Sequence, residues 1–207
     1  PKQDPARNAQ IYTVNLDTGI ARRLFSDEEQ LKYSNAMPVI SPKGDRIAFV
    51  SNRSGDMRVW ISALDGSGAK LLSKPEKNFH DKIKAPFEQK VPAWSPDGKW
   101  IAHWEGVEMI HMSRFTGVPN PRRDQMIANT FHVWVVGEDG TGRKKIGRGD
   151  DPTWSPDGFV TRAFPDPGRS GPVVIVETLN GKKKLPIVPP GRNLSLIHIS
   201  EPTRRRT

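Results

Sequence analysis

Cysteine is absent from all 207 residues. That excludes disulfides, thiol nucleophiles and thiolate metal sites, and it leaves the redox compartment open. No stretch approaches the ~18 consecutive apolar residues that a membrane-crossing helix needs. The chain opens at Pro1 with no signal-like segment, as expected of a processed or cut N-terminus. Catalytic signatures are missing as well. There is no Gly-x-Ser-x-Gly elbow, no phosphate-cradling Gly-rich loop and no Gly-x-Gly-x-x-Gly. Candidates for a paired-carboxylate site are scattered turn Asp residues, whose turn role accounts for them.

Glycine and proline are plentiful, at 18 and 19 residues. They recur between short apolar runs, so they read as the turns of many short strands rather than as a disordered tract. A hydrophobic fraction of 35% and a charged fraction of 27% suit a globular protein with a modest core. The formal charge is +9. The end of the chain, Leu194-Ser195-Leu196-Ile197-His198-Ile199-Ser200-Glu201-Pro202-Thr203-Arg204, resembles a translated sequencing adapter. Residues 194–207 are therefore set aside as an artefactual tail, and the protein proper is expected to be 1–193, which carries +7.

Self-similarity organises the rest. Ser41-Pro42-Lys43-Gly44, Ser95-Pro96-Asp97-Gly98 and Ser155-Pro156-Asp157-Gly158 are three copies of one turn. Pro38, Pro92 and Pro152 precede them at one fixed distance, and Ile40, Trp94 and Trp154 stand immediately before the Ser. Pro42, Pro96 and Pro156 preset φ at the second turn position, while Gly44, Gly98 and Gly158 accept the left-handed conformation that closes a hairpin. A second hairpin follows in each unit: a β-branched or aromatic strand such as Val59-Trp60-Ile61 or Val133-Trp134-Val135-Val136, then Asp65-Gly66 or Asp139-Gly140, then a short basic strand. Each unit thus predicts four antiparallel strands. Tandem four-stranded units are the blades of a propeller.

Spacing locates the irregularities. From the turn Ser to the aromatic strand is 18 residues in the first copy (41 to 59) and 18 in the third (155 to 173), but 38 in the second (95 to 133). The middle unit therefore carries an insertion of 20, at about 105–130. Another, at about 74–90, lengthens the connection before it. The predicted blades are a partial one at about 10–26 and fuller ones at about 36–73, 90–147 and 150–187. Closed rings need ~4–8 blades, so the expected fold is all-β, an incomplete propeller.

The Ser-Pro-Asp-Gly turn with Trp before it, Ile-Ala-Phe after it, then Val-Trp and Asp-Gly, resembles the TolB-like (WD40-like, PD40) repeat family over about residues 10–187. The resemblance implies a β-propeller, commonly exported in bacteria, hence a periplasmic or secreted setting. It also implies kinship with the non-catalytic propellers of serine peptidases of the prolyl-oligopeptidase and tricorn types. The 54- and 60-residue spacings between turns exceed the family's usual period.

Most regular features have an architectural reading. Arg22-Arg23, Lys70, Arg143-Lys144-Lys145 and Lys182-Lys183-Lys184 fall on the last strand of each unit, where cations block edge-to-edge pairing. They are spread once per blade, which does not make the contiguous basic face a nucleic-acid partner needs. Trp94 and Trp154 occupy one repeat position, as do Trp60 and Trp134, and so read as inter-blade packing.

The irregular part is left for function. Loops beyond ~12–15 residues in a compact domain are often functional. Glu105, Glu108, His111, Arg114, Phe115, Arg122 and Arg123 in the longer insertion are candidate partner-binding residues. His80, His103, His111 and His132 lie in or beside the two insertions with Asp81, Glu105, Glu108 and Asp124 nearby, and are candidate Zn or Mn ligands, though none shows a tight ligand spacing. His103 also stands where a core aromatic belongs. No cofactor is expected. The leading expectation is a non-enzymatic module binding protein or peptide, with no nucleic-acid partner. The alternatives are the propeller of a larger serine peptidase or hydrolase, and a metal-dependent propeller lyase acting on oligosaccharides.

Overall fold

A computed structural model describes residues 8–74, 87–107, 131–165, 172–178 and 185–187. Three four-stranded antiparallel sheets and one two-stranded sheet succeed one another along the chain. β1 (Tyr12–Val14) and β2 (Ala21–Arg23) make the partial blade. The first full blade holds β3 (Asn35–Ile40), β4 (Arg46–Ser51), β5 (Arg58–Ala63) and β6 (Lys70–Leu71). The second holds β7 (Phe87–Trp94), β8 (Trp100–Val107), β9 (His132–Gly137) and β10 (Lys144–Arg148). The third holds β11 (Asp150–Trp154), β12 (Phe159–Pro165), β13 (Pro172–Thr178) and β14 (Leu185–Ile187). The chain is an incomplete β-propeller. Strands β7 and β8 extend into the stretches assigned above to the insertions, since β7 begins at Phe87 and β8 runs to Val107.

The Ser-Pro-x-Gly turns close the hairpin between the first two strands of each blade. Gly44, Gly98 and Gly158 sit at φ 73°, 69° and 80°, and each donates its N–H back to the carbonyl of Ser41, Ser95 or Ser155. The Ser hydroxyl completes the turn by accepting from the first backbone N–H of the next strand, Arg46 at 3.1 Å and Trp100 at 2.9 Å.

β4 and β8, central strands of the first and second blades, are buried on both sides because a neighbouring blade covers each face. β4 is buried at five of its six positions and therefore reads as a continuous apolar run rather than an alternating one. Ile47 and Phe49 pack with Ile11, Leu24 and Phe25 of the partial blade, while Ala48 and Val50 pack with Trp94, Ile101 and Val136 of the second blade. A third cluster, Ala102, Trp104, Val133, Val135 and Val160, joins the second and third blades.

Polar stitches repeat at every seam. The indole N–H of Trp94 donates to the Val39 carbonyl of the preceding blade at 3.0 Å, and that of Trp154 to Ala93 at 2.9 Å. The backbone N–H groups of Asn35, Gln89 and Gly149 donate across the seams to Ala9, Met57 and Phe131. Gly66 and Gly140, at φ 87° and 90°, lie against the carbonyls of Leu24 and Leu72, so that an added Cβ would fall 2.3 Å and 2.7 Å from those oxygens.

Two features are additional to the sequence-based expectation. A short helix, α1 (Asp27–Lys32), links the partial blade to the first, capped by Ser26, whose side chain accepts from the Glu29 N–H. The first strand of every full blade also bulges just before its proline. Met37, Val91 and Asp151 adopt φ 52°, 53° and 43°, and the register of each hairpin shifts there. Such left-handed residues cost about 1–3 kcal/mol each. At Val91 the flanking stitches through Gln89 and Trp94 hold the strand on both sides of the bulge.

Candidate functional site

In a four-stranded antiparallel blade, the first and last turns lie at one end of the sheet and the connections lie at the other. Both long stretches, 75–86 before β7 and 108–130 after β8, leave the second blade from that connection end. The residues next to their roots are ionisable, and they are buried in the seam against the first blade.

Glu105 is the hub. It is 1% exposed. Its Oε2 accepts from the Gln89 amide at 2.9 Å and from the Arg143 guanidinium at 2.5 Å. Arg143 reaches it by passing over the Trp134 ring, 3.6 Å from the centroid, a stacked arrangement that a planar guanidinium favours. Gln89 also accepts from the Val59 N–H across the seam, at 3.2 Å. Burial opposes the charge of Glu105, but the Arg143 guanidinium and the Gln89 amide outweigh it and hold the carboxyl down at about 2. Nearby, Arg58 donates to Asp56 at 3.0 Å and Lys90 pairs with Glu88 at 2.8 Å. Arg58, Glu88 and Gln89 are all buried.

His103 is fully buried, and neither ring nitrogen has a hydrogen-bond partner among the described residues. Its Nε2 stands 3.9 Å from the Glu105 carboxylate, too far for a hydrogen bond. Burial pushes its pKa below the ordinary histidine value, so the ring is neutral at pH 7.

The candidate residues separate accordingly. His103 and His132 lie on adjacent strands, with His132 opposite Glu105 and His103 opposite Trp134. Among the described residues no group of three or more His, Asp or Glu could hold a metal ion. Glu105 belongs to β8 and is buried. His80, Glu108, His111, Arg114, Phe115, Arg122 and Arg123 lie outside the described residues, as do Asp81, Asp124, Lys182–Lys184 and the tail. Sequence reasoning placed Arg143 on a protective edge and overlooked Gln89. The available signal was alignment of the blades: Asn35, Phe49, Ser51 and Ala69 of the first blade become Gln89, His103, Glu105 and Arg143 of the second.

No family model matches the chain. It is 27% identical over 167 residues to an uncharacterized protein of Agrobacterium fabrum, covering 75% of this chain and 47% of that protein. A TolB homolog of Chlorobium luteolum is 31% identical over 154 residues, covering 60% of this chain and 33% of the relative. TolB from Acinetobacter baumannii shares the fold, with a TM-score of 0.53 at 17% identity over 83% of this chain and 35% of that one. These relatives support a TolB-like propeller family. The chain spans about half the length of the Agrobacterium relative and about a third of the Chlorobium one. The TolB-like fold recurs in an oligogalacturonate lyase of Vibrio parahaemolyticus, with a TM-score of 0.57 at 12% identity over 86% of this chain and 46% of that one. It recurs also in a puromycin hydrolase, with a TM-score of 0.56 at 14% identity over 91% and 27%. No helix among the described residues is long and apolar enough to cross a membrane.

Proposed function

We propose that this chain is part of a non-enzymatic TolB-like propeller that binds a protein or peptide partner at the connection end of its second blade. The observation that carries this reading is the seam around Glu105. Each seam has an apolar cluster among the described residues, the one around Glu105 included. This one holds ionised groups directly below the roots of the two long connections. A buried ion pair commonly adds no stability over a well-packed apolar filling. The use of these groups is to fix a polar floor and the strand ends from which the insertions emerge.

A peptide library displayed on phage and panned on the 207-residue chain tests the reading. Selected peptides lose at least about tenfold in affinity, equivalent to ~1.4 kcal/mol, when residues 108–130 are replaced by a short Gly-Asn-Gly turn. Far-ultraviolet circular dichroism and the melting temperature verify that the variant is folded. Enrichment of no peptide, or binding indifferent to the replacement, overturns the reading.

A second reading draws on the propellers of puromycin hydrolase and of prolyl endopeptidases among the fold neighbours. In it the chain is the non-catalytic part of a larger hydrolase. An intact reading frame encoding an α/β-hydrolase domain with a nucleophile elbow favours that reading over the first. The oligosaccharide-lyase reading rests on its fold neighbour and on His103 and His132. Metal content at background in the purified chain removes it.

A further inference from the structure

The opposite end of the blades carries a second feature. A shallow groove of about 220 Å³ separates the Ser-Pro-Asp-Gly turns of the second and third blades. Trp100 and Trp154 wall it together with Pro96 and Pro156, and Asp97 and Asp157 supply its only ionisable groups. We propose that this groove docks an arginine side chain of a partner polypeptide, the guanidinium stacking on indole and pairing with the two carboxylates.

The chain itself shows what this kind of seam accepts. One repeat earlier, Lys43 stands where Asp97 stands and Arg46 stands where Trp100 stands. Arg46 crosses that earlier seam and pairs with Glu138 of the second blade at 2.5 Å. There the turns also touch, since a Cβ on Gly98 would lie 3.7 Å from the Pro42 ring. The corresponding Gly158 has nothing within 4 Å. The earlier seam is therefore closed and supplied with cations from within. The later seam is open and acidic, with aromatic walls.

The walls are preorganised. Trp154 is fixed by its bond to the Ala93 carbonyl, and the Trp100 ring rests against Gly142, 3.2 Å from the position of an added Cβ. Asp97 accepts from the Ser95 hydroxyl and the Lys99 N–H, which keep it ionised. Lys99, beside Asp97 in the turn, does not line the groove. A planar guanidinium suits indole walls and carboxylates better than a compact ammonium does. The open geometry limits the affinity of one side chain to about the millimolar range.

The test labels the six tryptophans with 5-fluorotryptophan and assigns their ¹⁹F resonances by single Trp→Phe replacements. The probe is the blocked peptide acetyl-Gly-Arg-Gly-amide, with citrulline and glutamate versions as controls and methyl glucoside as a sugar control. The resonances of Trp100 and Trp154 move saturably with the arginine peptide and the other four stay in place. Asp157→Asn, a change at an exposed turn residue, weakens binding about threefold. The proposal is overturned if citrulline binds as tightly as arginine, if only the sugar moves the two resonances, or if nothing saturates below about 50 mM. The groove lies at the other end of the sheets from the insertions, so its failure leaves the peptide-panning result untouched.

Discussion

The seam in front of the first blade and the seam behind it share a backbone plan and an apolar cluster, and differ in the polar groups beside it. In front, Ile47 and Phe49 meet Ile11, Leu24 and Phe25, with Trp60 and Ala69 packed against them. Arg53 also lies there, paired with Glu29 at 3.7 Å, 4.1 Å from the Phe25 ring and within 6 Å of Tyr33, Phe49 and Trp60. Behind, Phe49 is replaced by His103, Ser51 by Glu105 and Ala69 by Arg143. Both seams are stitched alike by backbone bonds, through Asn35 to Ala9 and through Gln89 to Met57. Both press a turn glycine against a carbonyl of the preceding blade. Shared stitches define the fold, and the side chains are free to differ. Where they depart from the apolar pattern without a gain in stability, function is the physical explanation we favour.

The comparison breaks most visibly at Glu105. Glu105→Ala strands the Arg143 guanidinium and is expected to cost about 3–5 kcal/mol in a urea or guanidinium titration. Ser51→Ala, the equivalent change in the apolar seam, stays within about 1 kcal/mol. Next come the shared glycines. Gly66→Ala and Gly140→Ala each cost about 1–3 kcal/mol, because positive φ and a nearby carbonyl act together. Gly158→Ala, with open space around it, loses only the smaller backbone part; the three denaturation midpoints give the order. Smallest is the pH effect of His103. Its folded pKa lies below the unfolded value, so its share of stability is complete above about pH 6.5 and is lost as pH falls. Stability falls by up to ~1.4 kcal/mol per pH unit below that point. His103→Phe, which copies Phe49, flattens the stability profile between about pH 7 and pH 5. Glu105, held at about 2, does not titrate in this window.

Much of this architecture is legible in the residues. The Ser-Pro-x-Gly and Asp-Gly turns set the hairpins, because proline and glycine fix backbone angles locally. The 38-residue spacing flags the second blade as the irregular one, and residues 108–130 leave it where that spacing requires. Helix α1 is signalled by Ser26 three residues before Glu29, a capping pattern easily lost in a strand-rich chain. The bulges at Met37, Val91 and Asp151 run against local preference, since residues before proline favour extended backbone. They recur at the residue before the proline of each full blade, where the register of the hairpin shifts. Arg143 is misread as well. In the sequence it is one of three successive basic residues at an edge strand, and Trp134 and Glu105, brought near by folding, give it its partners.

The account stands or falls on whether the charged seam serves binding or merely holds the blades together. Grafting the first blade's residues onto the second, as the triple variant His103→Phe, Glu105→Ser and Arg143→Ala, separates the two roles. The measurement is the affinity of this variant for the peptides selected on the parent chain, made alongside its denaturation midpoint. We predict a stability equal to the parent's or higher, as when apolar filling replaces a buried ion pair, with affinity reduced at least about tenfold. Unchanged affinity in a folded variant, or a collapse of stability, contradicts the account.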